Sequence, residues 1–92
     1  SNKIPACYLA DNYPNPFNAS TIISYSIPQS DFVELTVFDI LGKKVQHIVN
    51  EFQQEGLHSV QFKTNGLPSG VYFYQLKVGI NYSEMKKMVL VR

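Results

Sequence analysis

The chain has 92 residues, enough for one domain whose folding hides roughly 60% of the unfolded surface. Its 45% hydrophobic and 13% aromatic content argues against disorder, and six Tyr and six Phe favour strands over helices. A net charge of +1 offers no basic field for nucleic acid, no apolar run reaches the roughly 20 residues of a membrane-spanning helix, and one cysteine, Cys7, can make neither an internal disulfide nor a zinc site by itself.

Residues 1–7 read as a tag remnant (Ser1-Asn2) and linker ahead of a single domain over 8–92, with no signal peptide legible. Cys7 to Ala10 is predicted to form a short first strand at a sheet edge. Asn12-Tyr13-Pro14-Asn15-Pro16-Phe17-Asn18 then interrupts any regular element, because two prolines remove two amide donors and fix two φ angles. This heptad is expected to be a rigid turn with trans prolines, with Tyr13 and Phe17 anchored on the end of the core and Asn15 and Asn18 closing Asx turns.

Ser20 to Ile27 alternates, with Thr21, Ile23, Tyr25 and Ile27 on one face, and Pro28 to Asp31 ends it. Phe32 to Phe38 alternates again, placing Val33, Leu35 and Val37 inward and Glu34 and Thr36 outward. Asp39-Ile40-Leu41-Gly42-Lys43 reads as a hairpin turn closed by a left-handed Gly42. Lys44 to Asn50 returns as the partner strand, and its broken alternation at Ile48-Val49 predicts a bulge. Glu51 to Gly56 is expected to be a polar loop, followed by a strand over Leu57 to Lys63 with His58, Val60 and Phe62 on one face.

Thr64-Asn65-Gly66 turns the chain into Leu67-Pro68-Ser69-Gly70-Val71-Tyr72-Phe73-Tyr74. The spacing Leu-Pro-x-Gly-x-Tyr predicts a tyrosine corner, in which a Tyr hydroxyl bonds to backbone a few residues upstream. Gly70 to Val78 is apolar on both faces and so is expected at the centre of a sheet. Gly79-Ile80-Asn81 is a tight turn, and Tyr82 to Val91 is the final strand, with Met88 and Leu90 on one face and Met85, Val89 and Val91 on the other. Six clear strands and a weak first one predict a seven-stranded antiparallel β-sandwich of the immunoglobulin-like or fibronectin-III-like kind.

Catalytic chemistry has little to stand on. His47 and His58 lie on different strands without a carboxylate at triad or metal spacing. No nucleophile elbow or phosphate-cradling glycine loop is present. Asp11, Asp39, Glu51 and Glu55 do not cluster as a calcium loop would require. No enzyme activity, metal or cofactor is expected.

Four pieces remain: Asn12 to Asn18, Val37-Phe38-Asp39-Ile40-Leu41-Gly42-Lys43-Lys44-Val45, Leu67 to Tyr74, and Lys86-Lys87-Met88-Val89-Leu90-Val91-Arg92. Each is a weak signal alone. Their order and spacing resemble the C-terminal sorting domain, type A, of cargo proteins of the type IX (Por) secretion system, from about Tyr8 to Arg92. The resemblance implies an immunoglobulin-like sandwich at the C-terminus of a longer secreted protein of a Gram-negative bacterium. Such a domain crosses the outer membrane with its N-terminal cargo domain through the translocon. It is then cleaved by a sortase-like peptidase, and the cargo is often attached to surface lipopolysaccharide.

On this resemblance the Gly-x-Tyr motif falls on Gly70 and Tyr72, and the basic, apolar last strand on Lys86, Lys87, Val89, Val91 and Arg92, where the family also tends to end. Those seven residues are the expected recognition positions. Pro14, Asn15, Pro16, Phe17, Asn18, Asp39, Gly42, Leu67 and Pro68 are expected to form structural turns. One departure is Ala19, where the family usually has a further proline. The same sandwich also resembles the immunoglobulin-like domain of the flagellar hook-capping protein, so fold alone does not settle function. An adhesion or carbohydrate-binding module and a plain spacer are the competing readings. The expected partners are the translocon and the peptidase, with no nucleic acid, and self-association through an edge strand stays open.

Overall fold

The computed structural model describes residues 6–92; the expected tag remnant and most of its linker lie outside the described residues. Seven strands follow in order: β1 (Tyr8–Leu9), β2 (Ser20–Ile27), β3 (Asp31–Phe38), β4 (Lys44–Gln53), β5 (Gly56–Lys63), β6 (Gly70–Val78) and β7 (Tyr82–Leu90). They make a three-stranded sheet, β1-β2-β5, and a four-stranded sheet, β4-β3-β6-β7, with every neighbouring pair antiparallel. The chain is therefore an all-β sandwich of the immunoglobulin-like type.

Period two decides what is buried. Ile23, Tyr25 and Ile27 of β2, Val33, Leu35 and Val37 of β3, Tyr72, Tyr74, Leu76 and Val78 of β6, and Met88 and Leu90 of β7 fill the space between the sheets. β6 lies between β3 and β7, as its two apolar faces predicted. The expected bulge is present: Leu35 pairs with Val49 and Thr36 with His47, leaving Ile48 as the extra residue. A second slip, between Val37–Gln46 and Phe38–Lys44, skips Val45. Both skipped side chains pack against the core, so the bulges supply core contacts that strict alternation would have spent on solvent.

Several expectations are corrected. Glu51 to Gly56 is mostly strand: β4 runs on to Gln53 and β5 begins at Gly56. The extension is held by the cross-strand pair Phe32–Phe52 and by the Tyr25 hydroxyl, which donates to Gln53 Oε1 across the sandwich. Thr36 is on the outward face yet is buried between its neighbours. The Tyr13–Pro14 and Asn15–Pro16 bonds are both cis, an isomer that a tertiary amide permits and that local sequence does not announce. Tyr13 is 79% exposed and anchors nothing with its ring, although its backbone pairs with Ile22. The heptad is held by the expected Phe17 ring, which is buried, and by buried Asn12, whose Nδ2 donates to Thr21 Oγ1 at 2.9 Å and to the Pro14 carbonyl at 3.1 Å.

Two phenols sit in the core. Burial pushes both Tyr25 and Tyr74 up to about 12, against an ordinary value of 10, and their hydroxyls donate to Gln53 Oε1 and to the Ala10 carbonyl. Raised acids favour the neutral form in the folded state, so their contribution is complete below the unfolded pKa of about 10 and is lost as pH rises towards about 12. The melting temperature is expected to fall steeply between pH 10 and 12, and the double variant Tyr25→Phe/Tyr74→Phe to show a shallower fall in calorimetry across that window.

Candidate recognition surface

The residues singled out in the sequence converge on one end of the sandwich, and the convergence is built from backbone geometry. Phe17 is the link. Its ring is 2% exposed and meets Phe62 edge-on at 6.3 Å. Its amide donates to the Val89 carbonyl at 3.0 Å and its carbonyl accepts the Val91 amide at 2.8 Å. Asn15 Oδ1 accepts the Val89 amide at 3.0 Å, so this asparagine caps the last strand and does not close an Asx turn. Pro14 contributes its carbonyl, which also accepts the Thr21 hydroxyl at 2.9 Å. Pro16 and Asn18 are exposed beside it.

The Leu67–Tyr74 stretch lies against the other side of β7. Gly70 pairs with Leu90 at the start of β6. Its φ of +150° and the open space around a built Cβ show that backbone conformation, and not crowding, selects glycine there. Tyr72 is 5% exposed, and its hydroxyl donates to the Pro68 carbonyl at 2.7 Å, the tyrosine corner read from the sequence. The next carbonyl upstream, that of Leu67, accepts the Arg92 guanidinium through Nε at 2.9 Å and also through a terminal nitrogen. Arg92 therefore fastens the end of the chain to the corner.

The Asp39–Lys43 turn completes this end. Asp39 Oδ1 accepts the amides of Leu41 and Lys43 at 2.9 Å, and Gly42 has φ +83°. Asp39, Ile40 and Leu41 share a groove of about 300 Å³ with Pro68, Gly70 and Tyr72, so this turn and the corner are neighbours. All four sequence pieces thus meet at one pole, although they are spread over nearly the whole chain.

The expected recognition residues divide into two groups. Lys87 and Val91 are exposed, and Val89 is half-buried on the outward face of the four-stranded sheet, paired with Val71. Lys86 is on the opposite face, where its Nζ lies 3.1 Å from Asp11 and 3.9 Å from Glu84. The side-chain hydrogen bond to Asp11 raises its pKa. Gly70 and Tyr72 shape the backbone, and Tyr72 presents almost no surface. Sequence reading missed an apolar groove of about 320 Å³ on the outward face, lined by Phe38, Ile40, Phe73 and Met85. Its signal was legible as outward-facing apolar positions on β3, β6 and β7, but nothing in one sequence says that they adjoin.

Among the described residues, no three His, Cys, Asp or Glu side chains gather as a metal site would need. His58 stacks on Tyr25 with ring centroids 5.3 Å apart and bonds the Gln54 carbonyl at 2.8 Å, which is a packing role. Tyr72→Phe is expected to cost about 1 kcal/mol in urea unfolding, the worth of one net hydrogen bond, with no change in the sheet's circular dichroism. An unchanged midpoint would remove the corner as a stabilising element.

No curated protein sequence matches the chain. A family model described as the secretion system C-terminal sorting domain matches residues 11–91, which spans the heptad, both turns, the corner and the final strand. The chain belongs to the family of C-terminal sorting domains of the type IX (Por) secretion system.

Proposed function

We propose that this domain is a non-catalytic sorting signal, read as a folded shape, that carries an upstream cargo domain across the outer membrane to the cell surface. The observation that supports this reading is the meeting of all four family motifs at one pole of the sandwich. A linear signal would not need a buried Phe17, a buried Tyr72 or a Gly70 with positive φ to present Lys87 and Val91. The proposed reader is the type IX translocon, which would engage β7 by strand addition, with a sortase-like peptidase acting afterwards to release the cargo. The domain boundary is proposed to lie just before β1, leaving residues 1–7 as linker.

Deleting Lys86 to Arg92 would not test this, because it removes Met88 and Leu90 from the core. Surface substitutions do. A reporter fused ahead of the domain, expressed in a host with the pathway, is expected at the cell surface. With Lys87→Glu and Val91→Glu together, which touch exposed positions only, the reporter is expected to stay inside while the isolated domain melts within a few degrees of the parent. Surface delivery at the parent level would contradict the reading.

A further inference from the structure

β7 is an edge strand, and its outward backbone falls into two parts. Along an antiparallel edge, residues alternate between aiming N–H and C=O at the neighbouring strand and aiming both away from the sheet. Val89 aims both away: its amide donates to Asn15 Oδ1 at 3.0 Å and its carbonyl accepts the Phe17 amide at 3.0 Å. The same phase aims the backbone of Ser83, Met85 and Lys87 outward. Among the described residues no hydrogen-bond partner meets those groups, and all three residues are exposed.

The covered part shows what this edge accepts. Phe17 bridges to Leu90 in the parallel sense, so the heptad already lays a short extended segment where an eighth strand would lie. That segment covers Val89 and Val91 and leaves Ser83 to Lys87 open.

We infer that Ser83–Lys87 is the docking edge for one extended strand of a partner protein, and that the Asn15–Phe17 segment is a built-in stop that fixes the partner's register by occupying the rest of β7. The partner's identity as part of the secretion machinery rests on the sorting reading above. Its chemistry follows from the edge: an extended backbone, an apolar side chain opposite Met85, which is 49% exposed, and an acidic one opposite Lys87. Lys86 is not available for that pairing, because Asp11 holds it on the other face at 3.1 Å.

Proline separates this edge from the fold. At an edge position whose N–H points outward, proline removes an external donor and no internal bond. In the full reporter fusion, Met85→Pro and Lys87→Pro are each expected to keep the melting temperature within a few degrees and to lower surface delivery at least tenfold. A photo-crosslinking residue at Ser83 is expected to join the translocon in isolated outer membranes, one at Asn18, at the far end of the stop, is not, and Lys87→Pro is expected to abolish the Ser83 adduct. Folded proline variants that are delivered like the parent would overturn the inference while leaving the sorting reading intact. Failure of both variants to fold would overturn it too, since those amides would then be internally bonded. Equal adducts from Asn18 would refute the stop, and a proline-sensitive dimer of the isolated domain without a translocon adduct would assign the edge to a second copy. Absence of the parent reporter from the surface would instead strike the sorting reading.

Discussion

Phe17 joins the beginning of the domain to its end: its amide and carbonyl are bonded to Val89 and Val91, and its ring is in the core against Phe62. The two kinds of contact do different work. Burying a phenylalanine contributes roughly 1.5–3 kcal/mol, whereas each net hydrogen bond adds about 1 kcal/mol. Packing therefore keeps the heptad on the sandwich, and the hydrogen bonds decide where on β7 it sits. Asn12 fixes the other side of the same segment through Thr21 and the Pro14 carbonyl. Without this constraint the last residues of β7 would have one neighbouring strand, β6, and one free edge.

The rest of the pole follows from that closure. With Val89 to Val91 clamped, Arg92 reaches the Leu67 carbonyl, and Leu67 leads directly into the corner that Tyr72 locks through Pro68. Structural and signalling readings of Gly70 and Tyr72 then coincide, because both residues hold the shape from which Lys87 and Val91 project. The β7 edge is also a liability. Unpaired strand edges invite pairing, and a lysine at the edge is a common device against indiscriminate partners. The turn before Tyr82 at one end and the heptad at the other leave a short open window, and Lys87 stands within it beside the heptad.

Much of the fold was legible because alternation is a strong signal in β2, β3 and β7, and because β6 reads as an apolar run that belongs inside a sheet. β4 was harder. Its bulges at Ile48 and Val45 break the period, and the polar look of Glu51 to Gln53 hides their pairing with Val33, Phe32 and Asp31 and the bond from the Tyr25 hydroxyl to Gln53. The tyrosine corner was visible from spacing, since every atom it needs lies within a few residues. The clamp was not, because Asn15 and Val89 are far apart in sequence and nothing local ties one to the other. For the same reason the sequence identified Lys86 and Lys87 as a pair but could not say that Asp11 claims the first and solvent the second. The sorting family was recognisable from the order of four motifs, whereas the pole at which they meet exists only in the folded domain.

Amide hydrogen exchange of the isolated domain, followed residue by residue under native conditions, tests the Phe17 clamp on β7 without a secretion host. The clamp predicts that the Val89 and Val91 amides exchange as slowly as those of β3 and β6, while Ser83, Met85 and Lys87 on the same strand exchange at nearly the rate of free backbone. Fast exchange at Val89 and Val91, matching that at Lys87, would mean that the heptad does not hold the end of β7, and the account of the pole would fall with it.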